Sequence, residues 1–302
     1  MNEPVYHIPA LLPQCLDALE VHPGGIYIDV TLGGGGHSRA IAEGLTHGHL
    51  YSLDQDNDAI ARAVASDVFT PVHGNFRYLS NYADFLGIEG KVDGILADLG
   101  VSFHHFDDAE RGFSFRSDAP LDMRMNRDAA VTAAQLLEKA SEADLASWLT
   151  LYGDLRNGRK MAHRIVSLRA SAPITTTGQL VEAVRPLINA AQEKKELAQV
   201  FQALRIVVNG EMDALKELLA AAVSVLKPGG RLAVITYHSL EDRLVKNFMR
   251  TGNTGGEASE DIFGRRTAPL KMLTSKPIVP DAAEIEANPR SRSAKLRVAQ
   301  KV

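Results

Sequence analysis

The sequence predicts an α/β fold, a Rossmann-like parallel sheet into which a mainly helical domain is inserted. Three observations carry this. Short apolar runs alternate with helical stretches from Ile26 to Asp98; that alternation stops after Leu99 and resumes near Leu232; and a glycine-rich turn joins the first apolar run to the helix behind it.

Four strands are expected before the interruption: Ile26 to Thr31, His49 to Asp54, Phe69 to Gly74 and Val92 to Asp98. Each ends in polar or glycine residues, where ligands of such sheets gather, so Asp29, Asp54 and Asp98 fall near three strand ends. Residues Val101 to Met125 are rich in Asp, Phe, Arg and Gly without a clean period and read as a long ordered loop. Helices follow over Ala133 to Lys139 behind Thr132, over Glu142 to Tyr152 behind Ser141, and over about Gly158 to Ala170. Thr177 is a candidate cap for Gly178 to Val184.

From Glu196 to Leu226, Leu197, Val200, Phe201, Leu204, Val208, Leu215, Leu218, Leu219, Ala222 and Val225 recur at three- and four-residue steps until Lys227-Pro228-Gly229-Gly230 stops them. Leu232 to Tyr237 is a fifth strand, and Ser239 is a plausible cap for the helix after it. Thr251 to Gly264 reads as mobile and Lys295 to Gln300 as a terminal strand. The expected division is a discontinuous sheet domain, 1–103 with 209–302, around an inserted domain, 104–208.

With 302 residues, 45% apolar and 23% charged, the chain has ordinary globular composition. Its formal charge of −4 means that any nucleic-acid contact must come from a local basic patch. Cys15 is the single cysteine, so no intramolecular disulfide forms, and a buried structural thiol is the simplest reading. The absence of a basic and apolar leader and of any long apolar run argues against export and membrane spanning, leaving the cytoplasm as the expected location.

Asp29-Val30-Thr31-Leu32-Gly33-Gly34-Gly35-Gly36-His37 lets a ligand approach backbone amides unobstructed by Cβ atoms. The spacing is not Gly-x-Gly-x-x-Gly, since Ser38 takes the third position, and no Gly-Lys-Ser/Thr follows, so a pyrophosphate is disfavoured. S-adenosylmethionine suits the loop better: Asp29 is expected to hold its ammonium, Gly35, Gly36 and His37 to face its carboxylate, and Asp54 to receive ribose hydroxyls. The glycines also suit a plain tight turn, and Asp54 a helix cap. Phe76 could flank adenine or be core, and Asp98 stands where donor and acceptor would meet.

The ordered set His7-Ile8-Pro9, Asp29 to Ser38, Asp98 to Ser102, Asp107 to Phe115, Pro120 to Met125, Phe201 to Ile206, His238 to Arg243 and Asn288 to Ala299 resembles the bacterial RsmH family, also called MraW, over nearly the whole chain. The resemblance implies a methyltransferase that modifies a cytosine N4 of 16S ribosomal RNA, with 16S rRNA in the small ribosomal subunit as partner and a helical domain that helps hold the cytidine. A homodimer is compatible with it. It also implies that S-adenosylmethionine lies against Gly35, Gly36, His37, Asp54, Phe76, Asp98 and His105. The chain departs from the family at Phe103-His104-His105-Phe106, where Ser-Pro-Gln-Leu is common, and at Lys195 to Gln199, where many members have His-Pro-Ala-Thr-Arg.

For such chemistry the enzyme aligns nitrogen, methyl and sulfur, and no nucleophilic residue is required. Asp98 is the candidate proton acceptor, with Tyr237 and His238 as candidate base-positioning groups; the alternatives are cofactor binding for Asp98, core packing for Tyr237 and helix capping for His238. Arg156, Arg159, Lys160, Arg164 and Arg169, and near the C-terminus Arg290, Arg292, Lys295 and Arg297, are candidate phosphate contacts or solvated surface. Phe113 and Phe115 are candidate stacking residues or core. A metal at His104 and His105 is not expected, since adjacent side chains diverge. Competing readings are a nicotinamide-dependent oxidoreductase and an RNA-binding assembly factor without turnover.

Overall fold

The computed structural model describes residues 8–100, 108–257, 259–260 and 266–302, without the side chains of 259, 260 and 266. The chain divides into two compact units, Met1–Gly100 with Met212–Val302, and Val101–Glu211.

In chain order the first segment runs α1 (Leu12–Leu19), β1 (Ile26–Asp29), α2 (Gly36–Glu43), β2 (His49–Asp54), α3 (Asn57–Arg62), β3 (Phe69–His73), α4 (Leu79–Phe85) and β4 (Val92–Asp98). The second unit contains α5 (Ala133–Lys139), α6 (Glu142–Leu151), α7 (Gly158–Arg169), α8 (Thr177–Val184) and α9 (Glu193–Asn209). Then follow α10 (Glu211–Val225), β5 (Leu226–Thr236), α11 (Ser239–Thr251), β6 (Ser259–Glu260), β7 (Arg266–Thr267), β8 (Leu270–Met272), α12 (Ala282–Ala287) and β9 (Lys295–Lys301).

Seven strands form one sheet in the order β3-β2-β1-β4-β5-β9-β8. The first five are parallel, whereas β9 pairs antiparallel with both β5 and β8. The chain leaves β1 toward one edge and returns at β4, so the strand order reverses between them; the crevice beyond their carboxyl ends is where sheets of this kind take ligands.

Both faces of the sheet are covered, which is why β4 reads as the unbroken apolar run Ile95-Leu96-Ala97. Ile95 and Ala97 join Ile28, Leu218 and Val234 in one apolar cluster, while Leu96 joins Tyr27, Cys15, Ile41 and Ile235 in the other. Cys15 is fully buried, and loss of hydration pushes its thiol well above the ordinary range, so the structural role expected of it fits its surroundings. The second unit has its own core, built around Leu121, Leu145, Met161, Ile165, Leu180, Val200 and Leu204. Phe113 lies within it and Phe115 packs edge-on against Phe201, which favours core over base stacking for both.

Several expectations need correction. β5 begins at Leu226 instead of Leu232, because its pairing with β4 jumps from Val92–Leu226 to Gly94–Arg231 and residues 227–230 bulge between. The long apolar pattern after Glu196 is two helices, since Gly210 at φ 59 closes α9 through the Ile206 and Val207 carbonyls. Thr176, not Thr177, caps α8 in a capping box with Gln179; the Thr177 hydroxyl donates to the Ser117 carbonyl and accepts from the Ala119 amide. The mobility expected of Thr251 to Gly264 falls partly outside the described residues, and in the described part the Asn253 side chain accepts from the Gly256 and Glu257 amides.

The terminal strand is secured by Arg297, 4% exposed, whose Nε and Nη2 donate to the two Asp242 oxygens on α11 at 2.7 and 3.2 Å. Removing only the acid strands a desolvated guanidinium. Asp242→Ala is therefore expected to lower the unfolding free energy by about 3 kcal/mol, with the Asp242→Ala, Arg297→Met double variant recovering part of that loss in urea titration. Equal stability of wild type and Asp242→Ala would contradict the assignment.

Candidate active site

The glycine loop is tied down by a chain of hydrogen bonds. Asp29 at the end of β1 is fully buried; its Oδ1 accepts from the Thr31 amide and hydroxyl at 3.0 and 3.1 Å, and its Oδ2 from the Ser38 hydroxyl on α2 at 2.6 Å. Ser38 reaches on to Ser52 of β2 at 2.8 Å, and Thr31 Oγ1 accepts from the Asp98 amide at 2.7 Å. One inward carboxylate thus joins the ends of β1, β2 and β4 to the start of α2. The expected role of Asp29 as an ammonium ligand is corrected accordingly: both of its oxygens are turned inward to protein donors, and it braces the loop.

Asp54 is only half-buried, and its Oδ2 accepts from the Gly33 amide at 2.8 Å while Oδ1 accepts from the Asp56 amide at 2.9 Å. The cap of α3 is Asp56, so Asp54 spends its carboxylate on the loop. Gly33 and Gly35 have φ 50 and 75, a region costly for L residues, and a Cβ built on them would find its nearest protein atom 3.8 and 3.9 Å away. Among the described residues, both positions make no contact closer than that. Gly36 differs, since its Cβ would press on Pro9 at 2.9 Å. The first turn of α2 has no side-chain cap, which leaves its amides to face an anion. This cradle, together with a half-buried acid one strand over, fits the carboxylate and ribose of S-adenosylmethionine.

Asp98, Tyr237 and His37 meet at the switch point. The Tyr237 hydroxyl donates to Asp98 Oδ1 at 2.8 Å, and His37 Nδ1 lies 3.6 Å from Oδ2. His37 is 6% exposed, with Nε2 at 3.0 Å from the Ala10 carbonyl. Strand alternation explains the convergence: Asp29 shares its parity with Tyr27, Asp98 with Leu96 and Tyr237 with Ile235, all facing α1 and α2. Withdrawal from water pushes the Asp98 carboxyl up to about 6; His37 and the Tyr237 hydrogen bond pull it down, and Asp29 and Glu241 push it further up. Burial, then Asp98, drive the Tyr237 phenol far upward, so it remains a donor.

His238 caps α11, its Nδ1 accepting from the Glu241 amide at 3.5 Å while Glu241 Oε2 accepts from the Tyr237 and His238 amides, so the capping role expected of Ser239 belongs to His238. Its Nε2 lies 3.0 Å from Glu241 Oε1. Phe76 opens the short turn after β3, partly buried against the core, and Asn75 beside it donates to Gln55 after β2 at 2.7 Å. His104 and His105 lie outside the described residues.

The basic clusters divide sharply. Arg164 donates to the Ala183 carbonyl, and Arg169 to the Leu137 and Ala140 carbonyls; Arg297 is held by Asp242, with Lys295 Nζ 4.0 Å from the same acid. Those serve the fold. Arg156, Arg159, Lys160, Arg290 and Arg292 are exposed. Residues missed at the sequence level include Ser38, Ser52, Ala10, Glu284 and Asn288. Glu284 Oε1 accepts from the Leu11 amide at 2.7 Å and Asn288 donates to the Ile8 carbonyl at 2.9 Å, which holds the segment carrying Ala10.

A family model described as the MraW methylase family matches residues 4–302. The chain belongs to this family. It is 56% identical over 301 residues to the ribosomal RNA small subunit methyltransferase H of Bacteroides thetaiotaomicron, covering 99% of each chain, and 56% identical over 298 residues to the protein of that name from Phocaeicola vulgatus, covering 98% of each. The namesake from Porphyromonas gingivalis is 52% identical over 307 residues, covering 100% of this chain and 98% of that protein. A solved putative rRNA methylase from Clostridium thermocellum overlays with a TM-score of 0.43 at 13% identity, covering 98% of this chain and 100% of that one, too distant a likeness to bear on the chemistry.

Gly35→Ala should weaken S-adenosylmethionine binding more than tenfold in calorimetry, beyond the roughly 1 kcal/mol of left-handed strain that it adds to the fold. Gly87→Ala supplies the control, because Gly87 has φ 68 and nothing within 4 Å of its built Cβ. It should show the stability loss with normal binding. Equal binding by both variants would remove the cradle.

Proposed function

We propose that this chain transfers a methyl group from S-adenosylmethionine to the exocyclic N4 of a cytidine in 16S ribosomal RNA of the small subunit. Membership of a methylase family, relatives named for small-subunit ribosomal RNA, and the resemblance in the ordered motifs support the reaction and its substrate. The observation that carries the chemistry is the Asp98 carboxyl, fixed between a phenol and an imidazole beside the glycine loop.

When bound, S-adenosylmethionine supplies an electrophilic methyl on a sulfonium. Without Cβ atoms, Gly33 and Gly35 allow close approach, the first amides of α2 at Gly36 and His37 receive the carboxylate, and Asp54 accepts ribose hydroxyls. Phe76 flanks the base, and His105 completes the set on the strength of the resemblance alone. The lone pair of cytosine N4 is delocalised into its ring, so attack requires pyramidal nitrogen and loss of a proton. Asp98 is the acceptor for that proton, and Tyr237 fixes its orientation. A carboxylate serves this role only when ionised.

The helical unit is assigned the holding of the RNA around the target, whose base must leave its stack to reach the catalytic groups. Exposed Arg156, Arg159 and Lys160 supply phosphate contacts there. A cytoplasmic setting follows from this substrate, and no helix among the described residues is long and apolar enough to cross a membrane.

Labelled methyl transfer to small-subunit RNA, followed by mass spectrometry of the nucleosides, tests the reading; label on a base other than cytosine, or none, would overturn it. Because Asp98 must be ionised, the rate should rise with pH through about 6 and level off above it. Asp98→Asn should lose about 100-fold at the plateau together with the acidic limb, and full turnover would eliminate the acceptor role. Changing Arg156, Arg159 and Lys160 together to Gln should reduce the slope of log affinity against log salt by about 2. An unchanged slope would remove these residues from the interface.

A further inference from the structure

We propose that His37 and Asp98 work as an ion pair, His37 being the positioning residue that keeps Asp98 a carboxylate toward the incoming amine. The kinetic consequence rests on the methyl-transfer reading above. The location of the proton does not.

The Ala10 carbonyl can only accept, so His37 Nε2, at 3.0 Å from it, carries a hydrogen. A neutral ring with that hydrogen would turn the Nδ1 lone pair toward Asp98 Oδ2, 3.6 Å away, in a place where the two side chains are 7% and 17% exposed. Two lone pairs facing each other with little water repel, and a proton on Nδ1 turns that repulsion into attraction. Oδ1 already accepts from Tyr237, which leaves Oδ2 as the side that His37 faces.

The charged surroundings favour the same arrangement. Asp98 is faced by His37 from α2, Tyr237 beyond β5, Asp29 from β1 and Glu241 from α11, and the Cys15 thiol of α1 lies in reach of its field. Among these groups, only His37 can bring positive charge. With its proton held by His37, Asp98 can take the proton that the amine surrenders as the N–C bond forms and the C–S bond breaks, the electron pair going to sulfur. Ala10 is itself held by the grip of Glu284 on Leu11 and of Asn288 on Ile8, so the two terminal motifs set the tautomer of His37 from a distance.

The test combines NMR and kinetics. In the ligand-free protein, the Asp98 carboxyl carbon should titrate at higher pH in His37→Gln than in the wild type, and the ring-nitrogen signals of His37 should move in Asp98→Asn. An Asp98 titration indifferent to His37→Gln, or a His37 signal indifferent to Asp98→Asn, would overturn the proposal. His37→Gln keeps a donor for Ala10 but cannot carry positive charge, so the acidic limb of the rate profile should move to higher pH by about one unit or more, with recovery toward alkaline pH. A uniform loss at every pH would mark His37 as structural only. Should His37→Gln fail to fold, the response of the His37 signal to Asp98→Asn still decides, and absence of turnover in the wild type would count against the methyl-transfer reading without touching the NMR result.

Discussion

The site depends on one inward carboxylate. Asp29 has no cation beside it in the hydrogen-bond chain; its charge is met by an amide and two hydroxyls, and charged hydrogen bonds of this kind are worth about 1.5–3 kcal/mol each. Their consequence is positional. Thr31 is bound to Asp29 by two bonds and passes the constraint to the Asp98 amide, while Ser38 passes it to α2 and β2. Glycines at φ 50 and 75 would otherwise leave the turn between β1 and α2 poorly determined, because glycine loses more freedom on folding than any other residue. Rigidity here comes from buried polar bonds.

The strands were legible because their apolar runs end where the sheet ends. His49–Asp54 and Val92–Asp98 match the expected bounds, and strand order together with alternation would have put Asp98 and Tyr237 on one face. The role of Asp29 was not legible. A strand-end acid that faces a ligand and one that faces a helix look identical in sequence, and only the placement of Ser38 and Thr31 separates them. His238 and Ser239 illustrate a subtler ambiguity. Serine is the better intrinsic cap, but the exit of β5 puts His238 at the extended position before α11, and Glu241 three residues on completes the box.

Basic residues were the least readable. Arg164 and Arg169 lie on the same helix as Arg159 and Lys160, yet their guanidinium groups satisfy carbonyls contributed by α8 and by the end of α5. Arg has five donors in a fixed fork and can close carbonyls that a helix terminus leaves open, so its count says little about nucleic acid until each fork is followed to its acceptors. Arg124 makes the same point: it holds both Asp122 oxygens and the Arg127 and Ala129 carbonyls, so this basic member of the Pro120 to Met125 motif organises its own loop.

Asp98 shows how fold and chemistry oppose each other. Its carboxyl titrates near 6 instead of the ordinary 3.8, so the folded state binds that proton more tightly than the unfolded chain does. The stabilisation is present in full below the ordinary carboxylate range and is lost as the pH rises through about 6, amounting to about 3 kcal/mol. At neutral pH, therefore, the protein carries a charge that its own burial resists. Tyr237 and His37 reduce that resistance without abolishing it, and a carboxylate left short of partners is a stronger acceptor than one saturated with them. The same incomplete solvation that weakens the fold gives Asp98 its readiness to take a proton from a nitrogen that holds its own lone pair poorly available.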